Sequence, residues 1–564
     1  MSISPLDVAV IAIYLVGITG FGIWAGYQKN ASADQYFLAN KSLGWFTIGA
    51  AVFTSNISTI HLVGLAAGGA EDGMVIGNFE WMACFTLILL ALVFTPFYVK
   101  SGAHTLPEFM ERRYCPSART FMAVIGILGA LLIHIGISLF AAAKVFQSFL
   151  GVPMMTTILV LSAFTVVYTV LGGLKAVVLT ENIQAGLLLF GAGLVTVLGI
   201  MALPEVGIRD FASFQLAVKP GQMNMLQPIH SADGQLNQYS WLAILLGYPI
   251  LGIWYWCADQ TLVQRVLAAH SVKEGQNGAL FAGFLKITPA FLMVLPGVVG
   301  YVLWQKGAFE LPLLSGTGKP DYNTMLPVLI NHLVPAGLKG LLAAGMAAAL
   351  MSTIAAALNS CATLVSFDIV KRSRPDMPDS EVVKAGRVTT AVVMVLAILW
   401  STQGEQFGTI FEAINKIPMT FAPAVTTVLL LGLLWKRGTW QAAMTTLYVG
   451  SIIGVVYFIV DMPVVGQLLA GIPPETSFKG LVGDPKLGLG LPFMLVGPII
   501  AGLCIALYII TSLATPAMDR ERVEKVCWAS PLEFLKGPIA GLTDPRIATL
   551  ILLGTVASLY FLLA

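Results

Sequence analysis

The sequence predicts an all-α polytopic membrane protein, and three observations carry that prediction. Of the 564 residues, 57% are hydrophobic and only 11% are charged, more apolar surface than a soluble chain of this size can bury. Apolar runs of about 20 residues, each long enough to cross a bilayer as a helix, recur from end to end. Lys and Arg concentrate in alternate loops, as the positive-inside rule requires. The chain therefore reads as one transmembrane domain over 1–564. A net charge of +2 gives no sign of nucleic-acid binding. Met1 to Pro5 has no positive n-region, so the first apolar run is expected to be a true span.

About fourteen spans are expected: 5–27, 43–70, 76–100, 118–150, 154–172, 181–203, 239–268, 276–305, 336–370, 384–402, 410–434, 440–461, 491–514 and 546–563. With the N-terminus outside, roughly 21 Lys and Arg fall inside and roughly 7 outside, with three more within spans. The inner loops include "YVKSGAHTLPEFMERRYCPSAR", "KRSRPDMPDSEVVKAGR", "WKRG" and "MDRERVEK". Both termini are then expected outside. Three outer segments, Pro204–Gln238, Lys306–Pro335 and Met462–Gly490, are rich in turn residues and read as lids. The inner stretch "HTLPEFMERRY" is amphipathic, as expected of a short interfacial helix, and Thr515–Asp544 is expected to hug the membrane. None of the six cysteines falls in an expected outer loop, and no pair has metal-ligand spacing. That fits a bacterial inner membrane. The chain has no P-loop and no appended soluble domain, so ATP-driven pumping would need a partner.

Two spans stand apart. The second carries "TSNISTIHLVGLAAGGAEDG", with Asn56, His61, several hydroxyls and repeated glycines. The seventh carries Gly247, Pro249 and Gly252, followed by Asp259, Gln260 and Gln264. Interrupted spans in matching positions of two five-span halves are the signature of an inverted-repeat secondary transporter. Backbone left unpaired at membrane depth must line a cavity or bind something. The alternative for the second span is a kinked helix packed on its glycines.

Intramembrane polar groups supply the candidate chemistry. Glu80 and Lys286 lie in the third and eighth spans, where a charge costs about 2.5–3.5 kcal/mol on insertion scales. They read as a mutual ion pair, as a snorkelling Lys, or as hydrogen-bonding partners of a polar substrate. His61 is a packing residue or a ligand next to the break. Tyr255 and Trp256, beside Trp254, offer aromatic faces that suit a sugar ring. In the ninth span, Ser352 and Thr353 are adjacent hydroxyls on an alanine-rich helix. They either bond back to their own helix or join freed carbonyls to cradle a hard cation such as sodium.

"SNISTIHLVGLAAGGAEDGMVIGNFEW", "YTVLGGLKAVVLTENIQ", "LGIWYWCADQTLVQRVLAA", "FLKITPAFLMVLPG", "ALNSCATLVSFDI" and "FAPAVTTVLLLGLLWKR" together resemble the solute:sodium symporter family, in its sodium/glucose cotransporter branch. The likeness covers nearly the whole chain, in order. It implies a LeuT-type 5+5 inverted-repeat core, with repeats over 43–203 and 239–434. One extra span (5–27) precedes the core, and three more (440–564) follow it. It implies sodium-coupled import of a hexose-like sugar by alternating access, with Na+ as the coupling ion and no enzymatic step. Other polar solutes (amino sugar, inositol, sialic acid) and a non-transporting sugar sensor are the alternatives.

The family's sugar-contacting positions fall on Asn56, His61, Phe79, Glu80, Tyr255, Trp256, Lys286 and Asn415. Its sodium cage falls on the carbonyls of Thr54, Ile57 and Ala349 and the hydroxyls of Ser352 and Thr353. Glu181 takes the place of a residue on the sodium exit path, and Tyr255 that of the inner gate. Three departures bear on this reading. Asn415 stands where the branch has Gln, and Glu181 where it has Asp. Ala355 and Ala356 lack the hydroxyls that hold a second sodium in some members, so one sodium per substrate is expected.

Overall fold

A computed structural model describes residues 4–231, 234, 236–313, 318–403, 417–461, 493–530, 532–539, 541 and 543–564, with only the backbone of residues 60 and 493. Among the described residues there is no β-strand, only isolated bridges. Among these residues eleven helices are long and apolar enough to cross a membrane, and a bent pair, Trp45–Asn56 with His61–Glu71, makes a twelfth at 62°. Their order follows the expected spans. The helix Met154–Ala202 has 49 residues, roughly 74 Å at 1.5 Å per residue, about two and a half times the hydrocarbon thickness. Gly173 divides it at φ 59, ψ −156, a conformation that glycine adopts without strain. The connector expected over 173–180 is therefore a single glycine, and the helix resumes at once. The eleventh expected span is described from 417 onward, where the helix Ala422–Leu434 forms. The lid expected over Met462–Gly490 lies outside the described residues.

The centre of the bundle is the helix Leu338–Thr363, alanine-rich and buried along nearly its whole length. Small side chains let backbones approach closely in a membrane. The helix packs against Met154–Ala202, Pro5–Gly26 and Trp45–Asn56. Asp7 ties the first span to its start. The Asp7 carboxylate accepts from the backbone N–H groups of Gly337 at 2.8 Å and Gly340 at 2.6 Å. It thereby satisfies donors that a helix N-terminus leaves free.

The second half-helix, Thr59–Glu71, is held from two sides. A Cβ on Gly297 would lie 1.9 Å from the Ala66 carbonyl oxygen, so the two backbones touch and no larger residue fits. At its C-terminal end, Lys219 Nζ donates to the Glu71 and Ala70 carbonyls at 2.7 and 3.2 Å, a cation on a helix C-terminus. Burial pushes Asp72, just beyond that terminus, up to about 6, with the neighbouring Glu71 charge adding to the shift. The Met74 N–H donates to the Gln222 carbonyl at 2.7 Å, and the Met225 N–H donates to that of Leu563 at 2.7 Å. The expected lid Pro204–Gln238 is thus fastened to the end of a half-helix. The expected interfacial helix forms over Leu106–Arg113, capped by Thr105. Leu106, Phe109 and Met110 face the bundle, and Arg113 Nε donates to the Gly432 carbonyl at 2.6 Å.

Candidate functional site

The helix Trp45–Asn56 ends at Ile57, whose backbone is extended at φ −78, ψ 108. A new helix starts at Thr59, with Ser58 as its cap. Ser58 N–H donates to His61 Nδ1 at 3.2 Å, and the Ser58 hydroxyl contacts the same nitrogen at 3.2 Å. This serine–histidine cap restarts the chain after the interruption, which gives His61 a structural task as well as a place in the cavity.

The break opens toward the central helix. Ser352 Oγ lies 3.1 Å from the Thr54 carbonyl and 2.9 Å from that of Ala349. Thr353 Oγ1 lies 3.5 Å from the Ile57 carbonyl and 3.1 Å from that of Ala349. All five positions named for sodium therefore converge. The back-bonding alternative is present too, since both hydroxyls contact Ala349 one turn earlier. Each hydroxyl has one proton, and two protons face three carbonyls through four contacts. Oxygen lone pairs are in excess, and a monovalent cation would balance them.

The seventh span is interrupted later than its Gly247–Pro249–Gly252 stretch suggests. Helix Trp241–Ile253 accommodates Pro249, and the wide turn Trp254–Ala258 follows. The chain turns extended only at Asp259, at φ −80, ψ 120. The wide turn is a π-bulge, which frees backbone carbonyls. Tyr98 Oη donates to one of them, on Cys257, at 2.6 Å. The aromatic cluster sits on this bulge: Tyr255 and Trp256 meet edge to face at 5.1 Å.

Between the two breaks lies a cavity lined by Asn56, His61, Phe79, Glu80, Tyr255, Trp256 and Lys286, among others. Its volume is about 120 Å³, several times the ~10–15 Å³ that one water needs. Seven of the eight positions named for sugar therefore line one cavity. Asn415, the eighth, lies outside the described residues. Lys286 sits at the turn that ends the helix Val272–Leu285. Its ammonium donates to Glu80 Oε2 at 2.5 Å and also to Asn56 Oδ1. The expected mutual ion pair is present, and it forms part of the cavity lining. Glu80 and Lys286 are 3% and 1% exposed, so each charge is held mainly by the other and by the cavity they line. The ammonium also stands 5.3 Å from the Trp256 ring and 5.7 Å from that of Phe53, which suits a cation. Asn56 Nδ2 donates to Tyr255 Oη at 3.0 Å. Asn56 thus joins the charge pair to Tyr255 from a position between Thr54 and Ile57.

Glu181 is buried one layer away. It accepts from Arg265 Nη2 at 2.6 Å and from Ser55 Oγ at 2.8 Å, and its own carbonyl accepts from Thr54 Oγ1 at 3.2 Å. The sequence reading named Glu181 and left out Arg265, whose partner only folding supplies. It also left out His134, which lines the cavity and contacts Asp259 at 2.6 Å. The signal was partial: "LLIHIGIS" sets a histidine in an apolar run, without the neighbouring break that marks His61.

Residues 36–450 match the profile of the Sodium:solute symporter family. The chain is similar to the sodium/glucose cotransporter of Vibrio parahaemolyticus, 34% identical over 475 residues, covering 80% of this chain and 84% of that one. It is 30% identical over 550 residues to sodium/glucose cotransporter 1 of Oryctolagus cuniculus, covering 93% and 81%. Among solved structures, a Na+-coupled sialic acid symporter in a substrate-bound, outward-open state superimposes with a TM-score of 0.74 at 20% identity. That match covers 92% of this chain and 99% of that one. The fold is the LeuT-type inverted repeat, and the chain belongs to the sodium:solute symporter family.

Proposed function

We propose that this protein imports a hexose-like sugar together with sodium. The convergence of Thr54, Ile57, Ala349, Ser352 and Thr353 oxygens beside a polar-aromatic cavity carries the reading. Sodium takes the place between the break and the central helix, and one ion accompanies each sugar, since Ala355 and Ala356 add no oxygen. The sugar hydroxyls engage Glu80, Lys286, Asn56, His61 and Asn415, while Tyr255, Trp256 and Phe79 bracket the ring. Tyr255 is the inner gate, and Glu181 lies on the path by which sodium leaves.

Coupling requires sodium to favour one conformation over another. Asn56 supplies the linkage, because a cation that fixes Thr54 and Ile57 also fixes the asparagine between them. One charge crossing ~100 mV contributes ~2.3 kcal/mol, roughly fiftyfold accumulation before any concentration gradient. The topology we infer has fourteen spans, repeats over 43–203 and 239–434, both termini outside and a bacterial inner-membrane setting. Loop charge and the placement of cysteine support it.

A neutral sugar suits the cavity better than a carboxylate-bearing one. Lys286 is already matched by Glu80, so the pair offers no net positive charge. Competition against labelled glucose in proteoliposomes tests this. Unlabelled glucose or galactose is expected to block uptake, and sialic acid in excess to leave it intact. Block by sialic acid alone would move the reading to an acidic solute, and binding without sugar-stimulated sodium flux would move it to a sensor.

A further inference from the structure

We propose that His134, oriented by Asp259, is a further specificity-determining residue of the transport site: its Nδ1 accepts a hydrogen bond from one hydroxyl of the bound sugar. The inference rests on the sugar-transport reading above.

His134 lies at the middle of the span Pro116–Leu150, in the wide-turn stretch Ala130–Ile137. It lines the cavity with Ile133, Ser138 and Tyr255, and its ring lies 5.7 Å from that of Tyr255. Its Nε2 is 2.6 Å from Asp259 Oδ2. The other Asp259 oxygen accepts the Thr261 N–H at 2.8 Å, capping the helix Gln260–Leu267. A carboxylate on a helix N-terminus is held as an anion and only accepts. The proton between the two residues therefore belongs to Nε2. The proposed state is the neutral imidazole, which has its lone pair at Nδ1. An imidazolium would present an N–H there instead, and the fluoro sugar would then outperform the deoxy sugar in the unmodified protein, which would overturn the assignment. Nδ1 makes no hydrogen bond among the described residues.

His61 is fixed in the opposite sense. Its Nδ1 receives the Ser58 backbone N–H at 3.2 Å. A backbone amide can only donate, so the His61 proton is on Nε2. The cavity thus presents an N–H at one histidine and a lone pair at the other, each tautomer set by its neighbour. A hydroxyl meets either demand. A fluorine accepts and cannot donate, so it meets His61 and fails at His134.

The test is a KM series in proteoliposomes of the full chain, using glucose and its monodeoxy and monodeoxyfluoro analogues. At one ring position, deoxy and deoxyfluoro sugars are expected to raise KM equally, by about threefold to tenfold, the worth of one neutral hydrogen bond. His134→Phe keeps a ring and removes the lone pair. KM for glucose is expected to rise by about the same factor, with discrimination lost at that ring position and retained at the others.

Asp259→Asn is the second variant. Asparagine still caps the helix, and with its oxygen on Thr261 it turns its N–H₂ toward the ring. That forces the other tautomer, as in triads where the carboxylate is replaced by an amide. Nδ1 then donates, and at the same position the fluoro sugar is expected to outperform the deoxy sugar. An unchanged deoxy and fluoro pattern in either variant would overturn the assignment while leaving sugar transport standing. Absence of sodium-dependent hexose uptake in the unmodified protein would overturn both.

Discussion

Lys286→Met is expected to abolish hexose uptake and to lower the melting temperature of the purified protein. The ammonium holds Glu80 at 2.5 Å in a site where the two side chains are 1% and 4% exposed. Removing one partner leaves the other charged and buried, a change that costs about 3–5 kcal/mol in folded proteins. The double variant Glu80→Gln with Lys286→Met removes both charges, and a neutral pair of similar volume carries no such penalty. It should recover the melting temperature and remain inactive. That combination separates binding from folding. Full stability in the single variant would show that the pair has water or another partner. Full uptake in the double variant would show that the sugar does not use it.

Ser352→Ala together with Thr353→Ala has the second large effect. The two hydroxyls are the side-chain oxygens of the candidate cation cage, and the other three are backbone carbonyls that substitution leaves in place. A hydrogen bond to a charged group is worth about 1.5–3 kcal/mol. Taking each hydroxyl–cation contact as similar, every lost oxygen raises the sodium concentration for half-maximal uptake by roughly tenfold or more. The double variant is therefore expected to lose sodium dependence in the physiological range. Both hydroxyls also contact the Ala349 carbonyl on their own helix, and a helix tolerates alanine there. The protein should fold and insert normally. A sugar channel or uniporter on the same fold predicts uptake unchanged by both substitutions.

The first break was legible because polar residues and glycines inside an apolar span have few other uses. Ser352 and Thr353 were legible as a pair, and their meeting with Thr54 and Ile57 followed from the family resemblance. The second break was misplaced by its own signal. Pro249 and two glycines mark a helix that ought to give way. Yet the chain stays helical to Ile253 and opens at Asp259, because the wide turn takes up the distortion over the next residues. Arg265 escaped attention because its partner is far away in sequence, and burial of that pair exists only in the folded bundle. Asp259 reads only as a polar residue in the sequence for the same reason: its partner His134 comes from another span. Long-range pairing between polar groups in different helices leaves no period or spacing in a single sequence. Local interruption of an apolar run does.

The measurement that bears most directly on the central claim is labelled glucose uptake by the reconstituted protein, with an inward sodium gradient replaced by choline at fixed pH. With sodium, sugar should accumulate above its outside concentration and then fall as the gradient decays. With choline, it should at most equilibrate. Accumulation that ignores the exchange would mean that no sodium ion drives the cycle, and the oxygen cage beside Asn56 would need another explanation.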